Sequence, residues 1–184
     1  MKPKLVVNSG GMFSGKSTEL LRQGQRHLYK KQRVVYLRPE SDNRYSDSEI
    51  VTHDGRSVPA VTVGDTFLFS ESFIDEYDVF LFDEVQFYLH HTMRAIQRIL
   101  DSGKVVYCSG LDMDYRGIPF ENTAMLMAQA DEVNKLRAVC SGCGADATFS
   151  YRNKSLGTET VLLGSEEAYK PLCRSCYQQE GRKQ

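Results

Sequence analysis

Neither charge sign is in excess: 23 Lys+Arg face 24 Asp+Glu in 184 residues, for a net charge of −1. A protein whose main work is gripping nucleic acid carries a basic excess or stripe, so this balance argues against such a partner. Long apolar runs are also missing. Only Leu5-Val6-Val7 stand between Lys4 and Asn8, whereas a signal peptide needs an apolar region of about 7–15 residues and a membrane span about 18 or more. The expectation is a cytoplasmic protein with no membrane partner. Proline is scarce, at five, and there is no internal repeat or low-complexity tract. That excludes collagen-like and disordered chains. What remains is an ordinary globular composition, 41% hydrophobic and 26% charged. A chain of this length buries about 70% of its unfolded surface, enough for a core without disulfides.

Apolar stretches alternate with helical patterns over the first three quarters of the chain. Leu5–Val7, Val34–Leu37, Val79–Phe82 and Val105–Cys108 read as buried strands. Leu20, Leu21, Gly24 and Leu28 recur at helical spacing, predicting a helix from about Ser17 to Lys31. Gly24 weakens that helix by about 1 kcal/mol relative to Ala, and close packing is one reason to keep it. Met93, Ile96 and Leu100 share a second helical face, with Gly103 placed to end it. Residues 40–60 are polar and turn-rich, read as a long loop with short strand pieces. Strands apolar on both faces imply a parallel sheet covered on both sides by helices. The pattern breaks near residue 139, predicting an α/β domain over 1–139 and a smaller module over 140–184.

Gly10-x-x-x-x-Gly15-Lys16-Ser17 matches the P-loop pattern in full. Its glycines let backbone N–H groups curl around phosphate oxygens, and a helix N-terminus adds its dipole. Lys16 is then expected at the β- and γ-phosphates, and Ser17 on Mg²⁺. An acidic residue ending a neighbouring buried strand completes such a site, and Asp83 after Phe80-Leu81-Phe82 fits. Glu84, one residue on, is expected to point to the opposite side and to be free for work as a general base.

Cys140-x-x-Cys143 and Cys173-x-x-Cys176 offer four thiolates, the set of a closed structural Zn²⁺ site. Twenty-nine residues lie between the pairs, so zinc would staple the feet of a long loop. Cys108, ending an apolar strand, reads as a buried small hydrophobe.

A P-loop fixes phosphate binding and leaves the acceptor open. Asn153-Lys154-Ser155-Leu156 begins like a guanine-recognition motif but has Leu where Asp is required. A zinc-ribbon ATPase coupled to nucleic acid is a second reading. Against it, residues 140–184 carry six basic and five acidic side chains, which is no phosphate-tracking patch. A non-catalytic nucleotide-binding regulator is a third. A small-molecule kinase, with a stapled loop closing over its acceptor, is the fourth.

Gly11-Met12-Phe13-Ser14-Gly15-Lys16-Ser17-Thr18-Glu19-Leu20, Asp83-Glu84-Val85-Gln86-Phe87, and Leu156-Gly157-Thr158-Glu159 between the cysteine pairs together resemble the type II thymidine kinases, the cytosolic deoxynucleoside kinase family. The resemblance covers essentially the whole chain in order. It implies a RecA-like P-loop fold with a zinc-ribbon lasso, and ATP- and Mg²⁺-dependent phosphorylation of thymidine at its 5′-hydroxyl. It implies Glu84 as catalytic base, with Lys16 and Arg44 at the transferred phosphate. Gly10 to Ser17 and Asp83 to Gln86 would border the nucleotide. Met12, Asp42, Phe87, Leu111, Tyr115, Phe120, Thr160, Val161, Leu162, Leu163, Gly164 and Tyr169 would enclose thymidine. Gly11 stands where many members have proline, and Tyr115 where some have phenylalanine. The resemblance further implies a homotetramer and dTTP as feedback inhibitor.

Overall fold

Four-residue strands with no polar face belong in the middle of a sheet, and the computed structural model, which describes residues 2–42, 48–52, 55–152 and 168–181, places them there. In chain order the elements are β1 (Lys4–Gly10), α1 (Lys16–Tyr29), β2 (Val34–Pro39), β3 (Glu49–Val51), β4 (Ser57–Pro59), β5 (Val61–Val63), α2 (Glu71–Glu76), β6 (Val79–Phe82), a 3-10 turn over Val85–Phe87, α3 (His90–Asp101), β7 (Val105–Leu111), α4 (Glu121–Gln129) and β8 (Glu132–Lys135). Six of these strands form one sheet in the order β5-β2-β6-β7-β1-β8, and every pairing within it is parallel.

Alternation along the central strands sorts the core onto two faces. Val35, Leu37, Phe80, Phe82, Val106 and Cys108 point toward α2, α3 and α4, where they meet Ile74, Met93, Ile96, Ile99 and Leu126. Tyr36, Val79, Leu81 and Val105 point the other way, onto Leu20 and Leu21 of α1 and Ile50 of the β3–β4 hairpin. Each fully buried leucine here contributes about 2 kcal/mol of transfer free energy. Cys108 is wholly enclosed, and burial pushes its thiol far above the ordinary range. It is a packing residue.

The buried face of α1 is more polar than its leucines suggest. Gln23 and His27 are buried, while Leu28 is 44% exposed. The polar groups are satisfied: Asn8 Nδ2 donates to Gln23 Oε1 at 2.8 Å, and His27 Nε2 pairs with the Tyr107 hydroxyl at 2.8 Å. Gly24 faces Tyr36 so closely that a Cβ would run into the ring. Close packing therefore outweighs the helix-propensity cost. Gly103 ends α3 at φ 79, its N–H bonded to the Leu100 carbonyl at 2.9 Å.

A small second unit follows β8. Its strands are β9 (Ala138–Val139), β10 (Asp146–Ala147), β11 (Phe149–Arg152) and β12 (Tyr169–Leu172), and α5 (Arg174–Gly181) closes it. β9 pairs with β10 and β11 with β12, both antiparallel. The Ser141 N–H joins the hairpins by donating to the Pro171 carbonyl at 2.9 Å. Its core is slight: Ala138, Cys140, Ala147 and Leu172, packed by Tyr151, Cys173, Cys176 and Tyr177. Among the described residues no helix is long and apolar enough to cross a membrane.

Candidate active site

In a parallel sheet, ligands bind beyond the carboxyl ends of the strands, and the polar residues singled out in the sequence collect there. β1 ends at Gly10, opposite Leu111 at the end of β7. β6 ends at Phe82, opposite Cys108 of the same strand. β7 thus stands between the strand that feeds the phosphate loop and the strand that ends in acidic residues.

The loop from Gly10 to Gly15 calls for glycine at two positions, at Gly10 for close contact and at Gly15 for its backbone conformation. A Cβ on Gly10 would lie 2.5 Å from the Leu136 carbonyl oxygen and 2.8 Å from Ser14 Oγ. Gly15 is left-handed at φ 80, which a side chain disfavours by about 1–2 kcal/mol, and it opens α1 by accepting from the Glu19 N–H at 2.9 Å. Phe13 is left-handed as well, at φ 64. Lys16 is buried, and its ammonium donates back to the Gly11 carbonyl at 2.8 Å, as does Ser14 Oγ. The result is a backbone cradle with a lysine folded over it at a helix N-terminus, the arrangement that binds phosphate.

Asp83 and Ser17 come close beside the loop, near enough for the serine hydroxyl to pull the carboxyl downward. Two hard oxygen donors at a phosphate site fit a magnesium ion. Burial and the neighbouring Glu84 carboxylate push the Asp83 carboxyl upward, opposed by Ser17 and Lys16. A divalent cation would relieve that conflict by supplying the missing positive charge.

Glu84 departs from the strand-end reading. β6 stops at Phe82, and Glu84 takes a left-handed conformation at φ 49, ψ 47. Strand alternation therefore does not carry it to the opposite side. Its carboxylate lies near enough to Asp83 to raise that group. Such a backbone costs on the order of 1–3 kcal/mol at a non-glycine residue and marks functional turns. The carboxylate is buried, and the Gln86 side-chain amide donates to it. Gln86 also accepts from the Leu111 N–H at 3.0 Å.

The residues expected around thymidine are brought together in part. The Met12 N–H donates to Ser150 Oγ at 2.9 Å. Leu111 sits on the Gln86 bridge, and Phe120 is half-buried ahead of α4, its N–H bonded to the Asp112 carbonyl at 3.0 Å. Tyr115 and Tyr169 converge on one guanidinium: Arg152 lies 4.0 Å from the Tyr115 ring centroid and 5.6 Å from that of Tyr169, and donates to the Tyr169 hydroxyl at 3.1 Å. Phe87 lines a different cleft, of about 240 Å³, with Pro39, Glu40, Ser41 and Val63. The Asp42 N–H donates to the Pro39 carbonyl at 3.1 Å, close to that cleft. Arg44 and Thr160 to Gly164 lie outside the described residues.

Two residues that sequence reasoning passed over belong here. Arg152, 1% exposed, clamps two aromatic rings, and Ser150 ties β11 to the phosphate loop. Neither sits in a motif. An arginine and a serine in a polar stretch give no signal before the chain is folded.

The four cysteines offer one sulfur each, all within 4.8 Å of one another. A tetrahedron with bonds of about 2.3 Å has sulfur–sulfur edges of about 3.8 Å; Cys143 and Cys173 sulfurs are 3.7 Å apart. The N–H of Cys173 and those of Gly142 and Cys143 hold the Cys140 thiol down at about 6, whereas the neighbouring thiols push Cys176 up to about 12. Four sulfurs so close cannot all ionise without a cation. The donor set fits structural zinc.

Solved structures with similar backbones include the flagellar accessory protein FlaH from Methanocaldococcus jannaschii, 13% identical, with a TM-score of 0.49 over 73% of this chain and 71% of that one. Domain III of the Thermotoga maritima replication initiation protein DnaA is 18% identical, with a TM-score of 0.46 over 73% of this chain and 55% of that one. The thymidine kinase family model matches residues 3–177. A match over nearly the whole length, on a chain that builds a phosphate cradle and a four-cysteine module in that order, places this protein in the thymidine kinase family, enzymes that phosphorylate thymidine.

Proposed function

We propose that the chain transfers the γ-phosphoryl group of Mg·ATP to the 5′-hydroxyl of thymidine, yielding dTMP, with Glu84 as general base. The observation that carries the reading is the grouping of Lys16, Ser17, Asp83 and Glu84 at one end of the sheet. Phosphoryl transfer needs positioning and charge neutralisation more than covalent help from the protein. Lys16 and the loop N–H groups would neutralise the β- and γ-phosphates. Magnesium would be held by Ser17 and Asp83, and would supply charge neutralisation at the phosphates. Glu84 would accept the 5′-hydroxyl proton as the oxygen attacks phosphorus, and Arg44 would approach the transferred group.

Residues 1–139 would then form the ATP-binding domain, and residues 140–184 a zinc-stapled lid. Met12, Asp42, Phe87, Leu111, Tyr115, Phe120, Thr160 to Gly164 and Tyr169 would enclose the nucleoside between them. A cytoplasmic homotetramer inhibited by dTTP completes the proposal.

The test is phosphate transfer from Mg·ATP to a panel of free nucleosides, with single-stranded DNA as a competing stimulant. Conversion of thymidine to its 5′-monophosphate, with other nucleosides poor, is the expected result. ATP hydrolysis that rises with DNA, and no transfer to any nucleoside, would overturn it.

A further inference from the structure

We propose that Gln86 is the positioning residue for the Glu84 carboxylate, which it holds through an amide whose orientation the Leu111 N–H dictates. The role rests on the general-base reading of Glu84. A glutamine amide can present either end to a neighbour. Here the choice is forced. The Leu111 N–H is a donor only, so the amide oxygen must face it, at 3.0 Å. The NH₂ end is then left toward Glu84 Oε2, to which it donates. Reversing the amide would set N–H against N–H on one side and oxygen against carboxylate on the other.

The surroundings are built to admit this side chain. A Cβ on Gly110 would lie 2.8 Å from Gln86 Oε1 and 2.6 Å from Val85 Cγ2, so any larger residue at 110 would displace the amide. Gln86 is 9% exposed, which keeps water from competing for either hydrogen bond. The 3-10 turn over Val85–Phe87, closed by the Phe87 N–H on the Glu84 carbonyl at 3.0 Å, returns the chain so that residue 86 reaches back to residue 84.

A carboxylate with one oxygen anchored presents its other oxygen in a fixed direction. Losing that bond widens the range of orientations open to the carboxylate, and a misplacement of about 1 Å can cost on the order of a hundredfold in rate. In this role Gln86 touches no reacting atom. It couples the end of β7, where Leu111 borders the expected nucleoside pocket, to the group expected to take the proton.

The experiment compares Gln86→Met, which keeps the length and removes both donor and acceptor, with Gln86→Glu, which keeps an acceptor for Leu111 and sets a carboxyl against Glu84 in place of the amide donor. Both are measured beside Glu84→Gln and the double variant Glu84→Gln/Gln86→Met, in steady-state phosphorylation of thymidine. Each Gln86 variant is expected to lower kcat at least about tenfold while KM for thymidine and for ATP moves less than about threefold. The double variant is expected to fall no further than Glu84→Gln alone, because one residue acts through the other. Additive losses, an unchanged kcat or a change confined to KM would overturn the role. If Glu84→Gln keeps normal turnover, the base reading falls and this role with it. If Glu84→Gln is inactive while Gln86→Met is unimpaired, this role alone falls. Thermal unfolding of both Gln86 variants completes the comparison: collapse of both would assign Gln86 to the scaffold and refute the proposal.

Discussion

The hydroxyl of Ser150 accepts the backbone N–H of Met12 at 2.9 Å, across 138 positions of sequence. That bond joins β11 of the cysteine-bearing unit to the middle of the phosphate loop. Gly11 leaves the room for it, since a Cβ there would stand 3.1 Å from Ser150 Oγ. The nucleotide cradle and the unit expected to cover the acceptor therefore share a backbone anchor.

Replacing Ser150 by Ala leaves the half-buried Met12 N–H without that acceptor, a loss of about 1 kcal/mol. The unfolding midpoint should drop accordingly, and KM for ATP should rise as the loop loosens. Unchanged stability together with an unchanged KM would show that the bond anchors nothing.

The cysteine cluster predicts one zinc per chain. Metal-ligation energy is folding energy in units with so small a core, and the buried apolar cluster around these cysteines is only Ala138, Cys140, Ala147 and Leu172 among the described residues. Cys143→Ser, or exhaustive chelation, should expose the segment from β9 to α5 to limited proteolysis while the sheet domain stays resistant. Elemental analysis finding well under one zinc in active protein would remove the claim.

The Arg33–Asp78 pair predicts an acid-side change in stability. Arg33 bonds Asp78 with its guanidinium, at 2.8 Å to Oδ1, and with its backbone N–H, at 2.9 Å to Oδ2. These bonds hold the carboxyl at about 2, below its ordinary 3.8. The folded value is depressed, so the stabilisation is present above about 3.8 and is lost as pH falls through about 2. The Arg33 side chain is 58% exposed, so solvent screening keeps the contribution of the pair small. The urea midpoints of wild type and Asp78→Asn should differ near neutrality and converge as the pH is lowered from 4 to 2. A gap that stays constant over that range would refute it.

Much of the fold was legible because its signals are local. Val79–Phe82 is apolar at every position, and a strand with no polar face has to be central. Met93, Ile96 and Leu100 keep a helical period that one face of α3 buries or half-buries. Other elements carried no such signal. β8 is a polar, largely exposed edge strand, Glu132–Lys135, and an edge strand has one neighbour and little need of apolar residues. In α4 the run Ala124-Met125-Leu126-Met127-Ala128 is apolar without a period, so sequence alone could not choose a buried face. α2 is only six residues long.

The amino-acid sequence alone specifies the phosphate cradle, because a P-loop is made from contiguous residues: Gly10, Gly15, Lys16 and Ser17 carry their geometry in their spacing. It also determined the four sulfur donors, since each C-x-x-C pair is a local turn. How the site is held follows from long-range contacts. Glu84 is set by a left-handed turn where the strand ends, Gln86 by the N–H of Leu111 on a neighbouring strand, Tyr115 and Tyr169 by Arg152, and Met12 by Ser150. Each of those relations depends on chain segments that meet only after folding, and a hydrogen bond or a ring stacked on a guanidinium leaves no period in the sequence from which to read it.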